Sequence, residues 1–222
     1  MLEQMTVALS TPSVKPLLRG VLHEVAAVAA LVACAGLAGI APSTRARIAA
    51  LVYGVSLAVL FAASALYHRP TWAGPTRQVL RRVDHSAIFL LIAGTYTPFC
   101  FLLGGGHGLV LLVAVWTGAF LGIVQCIGWV SAPKAFSALL YVALGWMVLP
   151  IVPELRSLMG TTGIALLAAG GVAYTVGAIV YAMRWPDPFP RIFGYHEVFH
   201  ALVVVAALLH FIVVLPVIRS LR

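Results

Sequence analysis

Acidic side chains are scarce in this chain. Six Asp and Glu stand among 222 residues, and all charged residues together make up only 9%. A soluble domain carries about 25% charged residues. Against this scarcity stands 62% hydrophobic content and a mean hydropathy of +1.05. No water-soluble fold of this size has interior enough to hide that much apolar surface, so lipid must solvate most of it. Disordered, fibrous and soluble-enzyme classes are thereby excluded. Cysteine is equally sparse. Cys34, Cys100 and Cys126 each sit inside an apolar run with no C-x-x-C spacing, which excludes a disulfide framework and predicts buried thiols. Fixed-period repeats and low-complexity segments are also missing. With so few acids, 14 Lys and Arg leave a net charge of +8. In a membrane chain that excess signals basic residues retained on one side before it signals a nucleic-acid partner.

What the chain has in quantity is long apolar runs. A spanning helix needs about 20 predominantly apolar residues, and seven such runs emerge, at 21–41, 48–67, 85–103, 109–130, 136–152, 161–183 and 195–216. Charge, Pro and Gly punctuate them at 42–45, 68–82, 104–108, 131–134, 153–156 and 185–191. The expected architecture is an all-α, seven-helix membrane bundle forming one domain over 21–218, preceded by a flexible cytoplasmic leader at 1–20. The first run is too long for a signal-peptide core and opens on His23 and Glu24, which favours a span. Counting bases on alternating sides places Lys15, Arg19, Arg69, Arg77, Arg81, Arg82, Lys134, Arg184 and Arg191 together, nine of the fourteen. The positive-inside rule then puts the N-terminus inside and the C-terminus outside. A bacterial-type inner membrane is the expected location.

Ionisable groups within spans are costly and mark function by default. On this topology His68 closes the second span, Asp84 opens the third, and His196, Glu197 and His200 open the seventh, all at the cytoplasmic boundary. His196 and His200 are spaced i, i+4, which places both rings on one face about 6 Å of rise apart, a spacing suited to one metal ion. A nitrogen from His68 would complete a three-histidine set with an open fourth position, as a catalytic zinc requires. Asp84 at the same depth could orient or deprotonate water there, and Ser64, one turn before His68, could add a supporting hydrogen bond. Residues 196–200 also match H-E-x-x-H, in which the Glu is the base of a metalloprotease. That chemistry in a membrane needs a further acidic ligand deep in another span, and the sequence offers none.

The stretch 81–99, RRVDHSAIFLLIAGTYTPF, with SALYH at 64–68 before it and HEVFH at 196–200 after it, resembles the hemolysin III branch of the progestin and adipoQ receptor family. That family groups with alkaline ceramidases among proposed membrane hydrolases. The resemblance runs over nearly the whole chain from about residue 15, with the motifs in order. It implies a seven-helix bundle with zinc near the cytoplasmic face, held by His68, His196 and His200, with Asp84 as the third-helix aspartate and Ser64 as the serine of S-x-x-x-H. It also implies a lipid-accessible ligand cavity, and it assigns Glu197 no ligand role.

The remaining polar positions read as structural. His23 and Glu24 are expected as a snorkelling interfacial pair with an auxiliary role open, and His85 as interfacial, about 100° around the helix from Asp84. His210, roughly 15 Å beyond His200 along the helix, is too far to share a metal and reads as bonding a neighbouring helix. His107 reads as solvated. The leading expectation is a zinc-dependent hydrolase of a lipid amide or ester entering from the bilayer, tied to membrane lipid homeostasis. Its rivals are a non-enzymatic sensor with structural zinc and a pore-forming cytolysin. The pore is disfavoured because the middles of the spans hold almost no charge.

Overall fold

The computed structural model describes residues 15–222, so most of the leader expected at 1–20 lies outside the described residues. The described chain is helical, with one isolated bridge between Phe189 and Phe193. Its elements are α1 (Val21–Ile40), α2 (Thr44–His68), α3 (Gly74–Leu103), α4 (Gly105–Gly128), α5 (Lys134–Gly145), a 3-10 segment (Trp146–Ile151), α6 (Val152–Met183) and α7 (Tyr195–Ser220). Six helical runs are long and apolar enough to cross a membrane, with α5, the 3-10 segment and α6 forming one run of 50 residues.

That run departs from the sequence expectation of a break at 153–156. Pro153 falls in the first turn of α6, where its missing N–H costs no hydrogen bond, so the chain stays helical there. The break comes at Gly160 instead, at φ 73 and ψ 175, a conformation only glycine adopts cheaply. A straight 50-residue helix would extend about 75 Å, more than twice the roughly 30 Å hydrocarbon core. The break lets α5 pack against α6.

Helix ends also extend past the apolar runs. Ser43 caps α2, its Oγ accepting from the Ala46 N–H at 3.1 Å. α3 begins at Gly74 with Pro75 in its first turn, eleven residues before the apolar run. Arg77, Arg81 and Arg82 are therefore helical, because Arg is a good helix former even where hydropathy is low. Asp84 consequently sits within α3 rather than at its opening.

In space α7 is the hub, packing on α1, α2, α3 and α6, while α4 packs chiefly on α3. One apolar core joins α1, α2, α3, α6 and α7, and a second lies between α3, α4 and α5 around Phe89, Val115 and Ala119. Cys34, Cys100 and Cys126 are free and buried, as expected. The outward faces are apolar too, with Val25, Val28, Leu31 and Val32 of α1 and Leu109, Val110, Val113 and Phe120 of α4 exposed. Contiguous exposure on this scale needs a lipid solvent.

Candidate metal centre

The packing of α7 against its neighbours brings four helix segments to one place. The start of α7 is fixed by Glu197, whose Oε2 accepts from the Gly194 N–H at 2.8 Å in a capping-box arrangement. Its Oε1 pairs with Arg19, so both carboxylate oxygens are engaged and the side chain is 1% exposed. Glu197 thus serves helix capping and a tie to the segment before α1, which removes it as the base that H-E-x-x-H would require.

That segment is held in place. Leu17 and Leu18 N–H groups donate to the Arg191 and Ile192 carbonyls at 3.1 Å each, and Lys15 Nζ donates to the Arg69 and Pro70 carbonyls at 2.6 and 3.1 Å. Residues 15–20 of the expected leader are therefore docked onto the loops. α1 begins after Gly20, whose φ of 80 favours glycine and whose approach to His68 is close, since a Cβ there would meet that of His68 at a tight 3.0 Å. The first turn of α1 accordingly lands beside the last turn of α2.

His68, His196 and His200 converge. One ring nitrogen from each lies within 4.8 Å of the other two, and His68 Nε2 stands 3.1 Å from His196 Nε2. Two nitrogens bound tetrahedrally at 2.0–2.1 Å from one zinc would be about 3.3 Å apart, so this pair already has a ligand separation. Three imidazoles, those of His196 and His200 buried and that of His68 partly so, suit a borderline ion such as zinc, and the donor set fits that metal. Asp84 is buried, its Oδ2 3.6 Å from His68 Nε2. Ser64 is buried, one turn before His68, and lines the same cavity.

His23 differs from its expected interfacial place. It is 2% exposed, and its ring stacks on His200 at 3.8 Å between centroids with planes 8° apart. Both its ring nitrogens, and Nδ1 of His200, are buried with no hydrogen-bond partner among the described residues. The i, i+3 or i, i+4 rules could not find it, because it reaches the site from a different helix. Glu24 alone takes the surface role foreseen for the pair, bridging Arg69 at 2.7 Å. His85 is half-buried and lines the cavity. His210 bonds the neighbouring helix as expected, Nε2 donating to the Leu167 carbonyl at 3.1 Å, and its ring also reaches the cavity. His107 is exposed, 3.1 Å from Glu154.

The cavity occupies about 1480 Å³. It opens among the loop-proximal Arg77, Arg191 and Lys15, passes the histidines and Asp84, and continues between α3, α6 and α7 to His210. Beyond the histidines the lining is predominantly apolar, from Ile88, Leu91, Phe99, Val148, Ile164 and Val203.

Comparison with known proteins gives a consistent picture. Residues 12–211 match the family model described as Haemolysin-III related. The chain is 39% identical over 155 residues to the "Hemolysin-3 homolog" of Bacillus subtilis, covering 68% of each chain. It is 39% identical over 140 residues to "Hemolysin-3" of Bacillus cereus, covering 63% of this chain and 64% of that one. More distantly, it is 26% identical over 200 residues to the human "Monocyte to macrophage differentiation factor", covering 85% of this chain and 78% of the relative.

Proposed function

The chain belongs to the Haemolysin-III related family, and from that premise we propose that it is a zinc-dependent membrane hydrolase cleaving an amide or ester of a long-chain lipid. It is an integral membrane protein. Dividing the 50-residue run at Gly160 gives seven spans in our reading, with the N-terminus cytoplasmic, the C-terminus outside, and the site at the inner face of the cell's plasma membrane. A role in membrane lipid homeostasis follows from a lipid substrate drawn from that bilayer.

The observation that carries the proposal is the convergence of three imidazoles from α2 and α7, two of them buried and that of His68 partly so, with one carboxylate, at the head of a deep apolar cavity. His68, His196 and His200 would hold the ion. Zinc, when bound, supplies Lewis-acid polarisation of a carbonyl and acidification of water. Asp84 would accept a proton from attacking water and return it to the departing amine or alcohol, a role its burial beside His68 supports. The Ser64 hydroxyl would support the site by hydrogen bonding. The apolar cavity holds the acyl chain and excludes bulk water from the scissile bond.

The same residues fit a membrane sensor with zinc as a cross-link, and the names of the bacterial relatives raise lysis. The Lys, Arg and Asp side chains gather at one end while the rest of the cavity is predominantly apolar, which favours a pocket over a pore. The test is metal analysis of detergent-purified protein beside a screen of lipid amides and esters, with His196→Ala as control. Stoichiometric zinc with turnover absent in the variant is expected. Lack of stoichiometric zinc would sink the proposal, and zinc without turnover on any lipid would transfer it to the sensor.

A further inference from the structure

The cavity has two chemically distinct halves, and the hydrolase reading does not account for the charge of the outer one. Arg77, Arg81, Lys134, Arg184 and Arg191 all line it, and among the described residues none of them has a carboxylate within ion-pair distance. The carboxylates on the lining are Asp84, next to His68, and Asp187, which accepts from the Tyr195 N–H at 2.8 Å. Retention of basic residues on the cytoplasmic side requires only that they stand on that side. It does not require that they face a cavity, nor that one be held in an aromatic cradle.

Lys134 is held in such a cradle. It is the first residue of α5 and half-buried. Its Nζ donates to the Tyr195 hydroxyl at 3.2 Å and lies 4.5 Å from the centre of the Tyr181 ring. Those two rings in turn lie 6.1 and 5.9 Å from the ring of His196. A fixed cation therefore stands one aromatic ring away from the candidate metal centre, on its mouth side. On the inner side, His200 to His210 spans about 15 Å of apolar-walled depth at 1.5 Å per residue, room for an extended alkyl chain.

Resting on the hydrolase reading for which bond breaks, we propose that the lipid taken by this site bears an oxyanion, of the phosphate or carboxylate class, on the leaving side of its acyl amide or ester. With the alkyl chain inward and the carbonyl at the histidines, the leaving group falls beside Lys134 and Arg81. Water adds hydroxyl to the acyl carbon, the C–N or C–O bond breaks, and the leaving nitrogen or oxygen takes the proton. The products are a fatty acid and an amine or alcohol that still carries the anion. A mouth rimmed by unpaired cations raises the local concentration of such substrates and supplies charge-assisted hydrogen bonds to the head.

Binding tests this without turnover. The full-length protein in neutral detergent is titrated with dodecyl phosphate and with dodecyltrimethylammonium, following tryptophan fluorescence, since Trp72 and Trp146 line the cavity. Dodecyl phosphate is expected to bind at least about 10-fold tighter, the preference to fall roughly 10-fold in Lys134→Gln and in Arg81→Gln, and Lys134→Arg to retain it. The preference must persist in His196→Ala, because its loss there would mean that the anion rides on the metal, overturning the assignment. Equal binding of the two probes overturns it as well, as does displacement by inorganic phosphate at the same concentration, which would assign the mouth to the free anion. A retained preference in a protein that hydrolyses no acyl lipid leaves the head-group assignment standing and refutes hydrolysis. Equal turnover of neutral and anionic acyl lipids does the reverse.

Discussion

Replacing His196 with alanine removes one of three imidazoles whose nitrogens lie within 4.8 Å of one another, and the consequence is measurable without knowing any substrate. A ligand that binds only the folded state stabilises it by RT ln(1 + [L]/Kd), about 2.7 kcal/mol at 100 times Kd. In a chain of this length each kcal/mol moves Tm by about 2–4 °C. Zinc at that concentration should therefore raise the Tm of the detergent-solubilised protein by about 5–11 °C. A chelator should lower it equally. Two remaining imidazoles leave an incomplete ligand set, so His196→Ala and His200→Ala should lose most of the zinc-dependent increment. The His68 and His196 nitrogens are 3.1 Å apart, a hydrogen-bond distance in the metal-free protein, so His196→Ala should also lower the metal-free baseline by about 1–3 kcal/mol, and each zinc increment is read against that variant's own metal-free melt. Thermal melts with and without zinc, read against metal content, decide the matter. A zinc increment of the same size in His196→Ala and His200→Ala would refute the three-histidine site.

Asp84→Asn keeps size and burial but removes the proton acceptor, so zinc content should stay near wild type while hydrolysis of a lipid found by screening falls about 10²–10⁴-fold; loss of metal in this variant would instead make Asp84 part of the ligand set. His23→Ala deletes the ring stacked on His200 and should weaken zinc binding by about 10-fold or more through a loosened ligand, whereas His23→Phe keeps a ring there and should stay closer to wild type in chelator competition. Equal zinc affinity in the alanine variant would show the stack to be incidental. Gly160→Ala adds a Cβ into open space but at φ 73 and ψ 175, a region essentially reserved for glycine, so its cost is conformational, about 1–3 kcal/mol, and it should lower Tm by several degrees with zinc stoichiometry unchanged.

The parts of the molecule legible in its sequence are those governed by one helix at a time. His196 and His200 on one face follow from the 3.6-residue period, and Ser64 beneath His68 follows from the same rule. Burial of Cys34, Cys100 and Cys126 follows from their apolar neighbours. What hydropathy missed is what other forces decide. Arg77 to Arg82 are helical because helix propensity and the Pro75 start outlast the apolar run, and Pro153 continues a helix because it falls in the first turn. The place of His23 is decided by tertiary contacts. Its neighbours in sequence are a loop and a span, and the docking of the segment before α1 and the packing of α1 on α2 and α7 bring it onto His200.

The scarcity of acids makes the proton acceptor a question that elimination can answer. Five of the six fall among the described residues. Glu24 is taken by Arg69, Glu154 lies against exposed His107, and Asp187 accepts from the backbone of Tyr195. Glu197 is nearest in sequence to His196 and His200 and matches a known motif, yet its oxygens go to Arg19 and the Gly194 N–H. A base committed to an ion pair and a helix cap has little capacity left for a proton, and protonating it would cost both contacts. Asp84 remains, buried, lining the cavity, and facing His68 rather than an arginine. Of the two described carboxylates that line the cavity, Asp84 and Asp187, it is the one not committed to a backbone N–H at the start of α7. Proton transfer at this centre, if one of the described side-chain carboxylates performs it, therefore runs through α3 and not through the motif on α7.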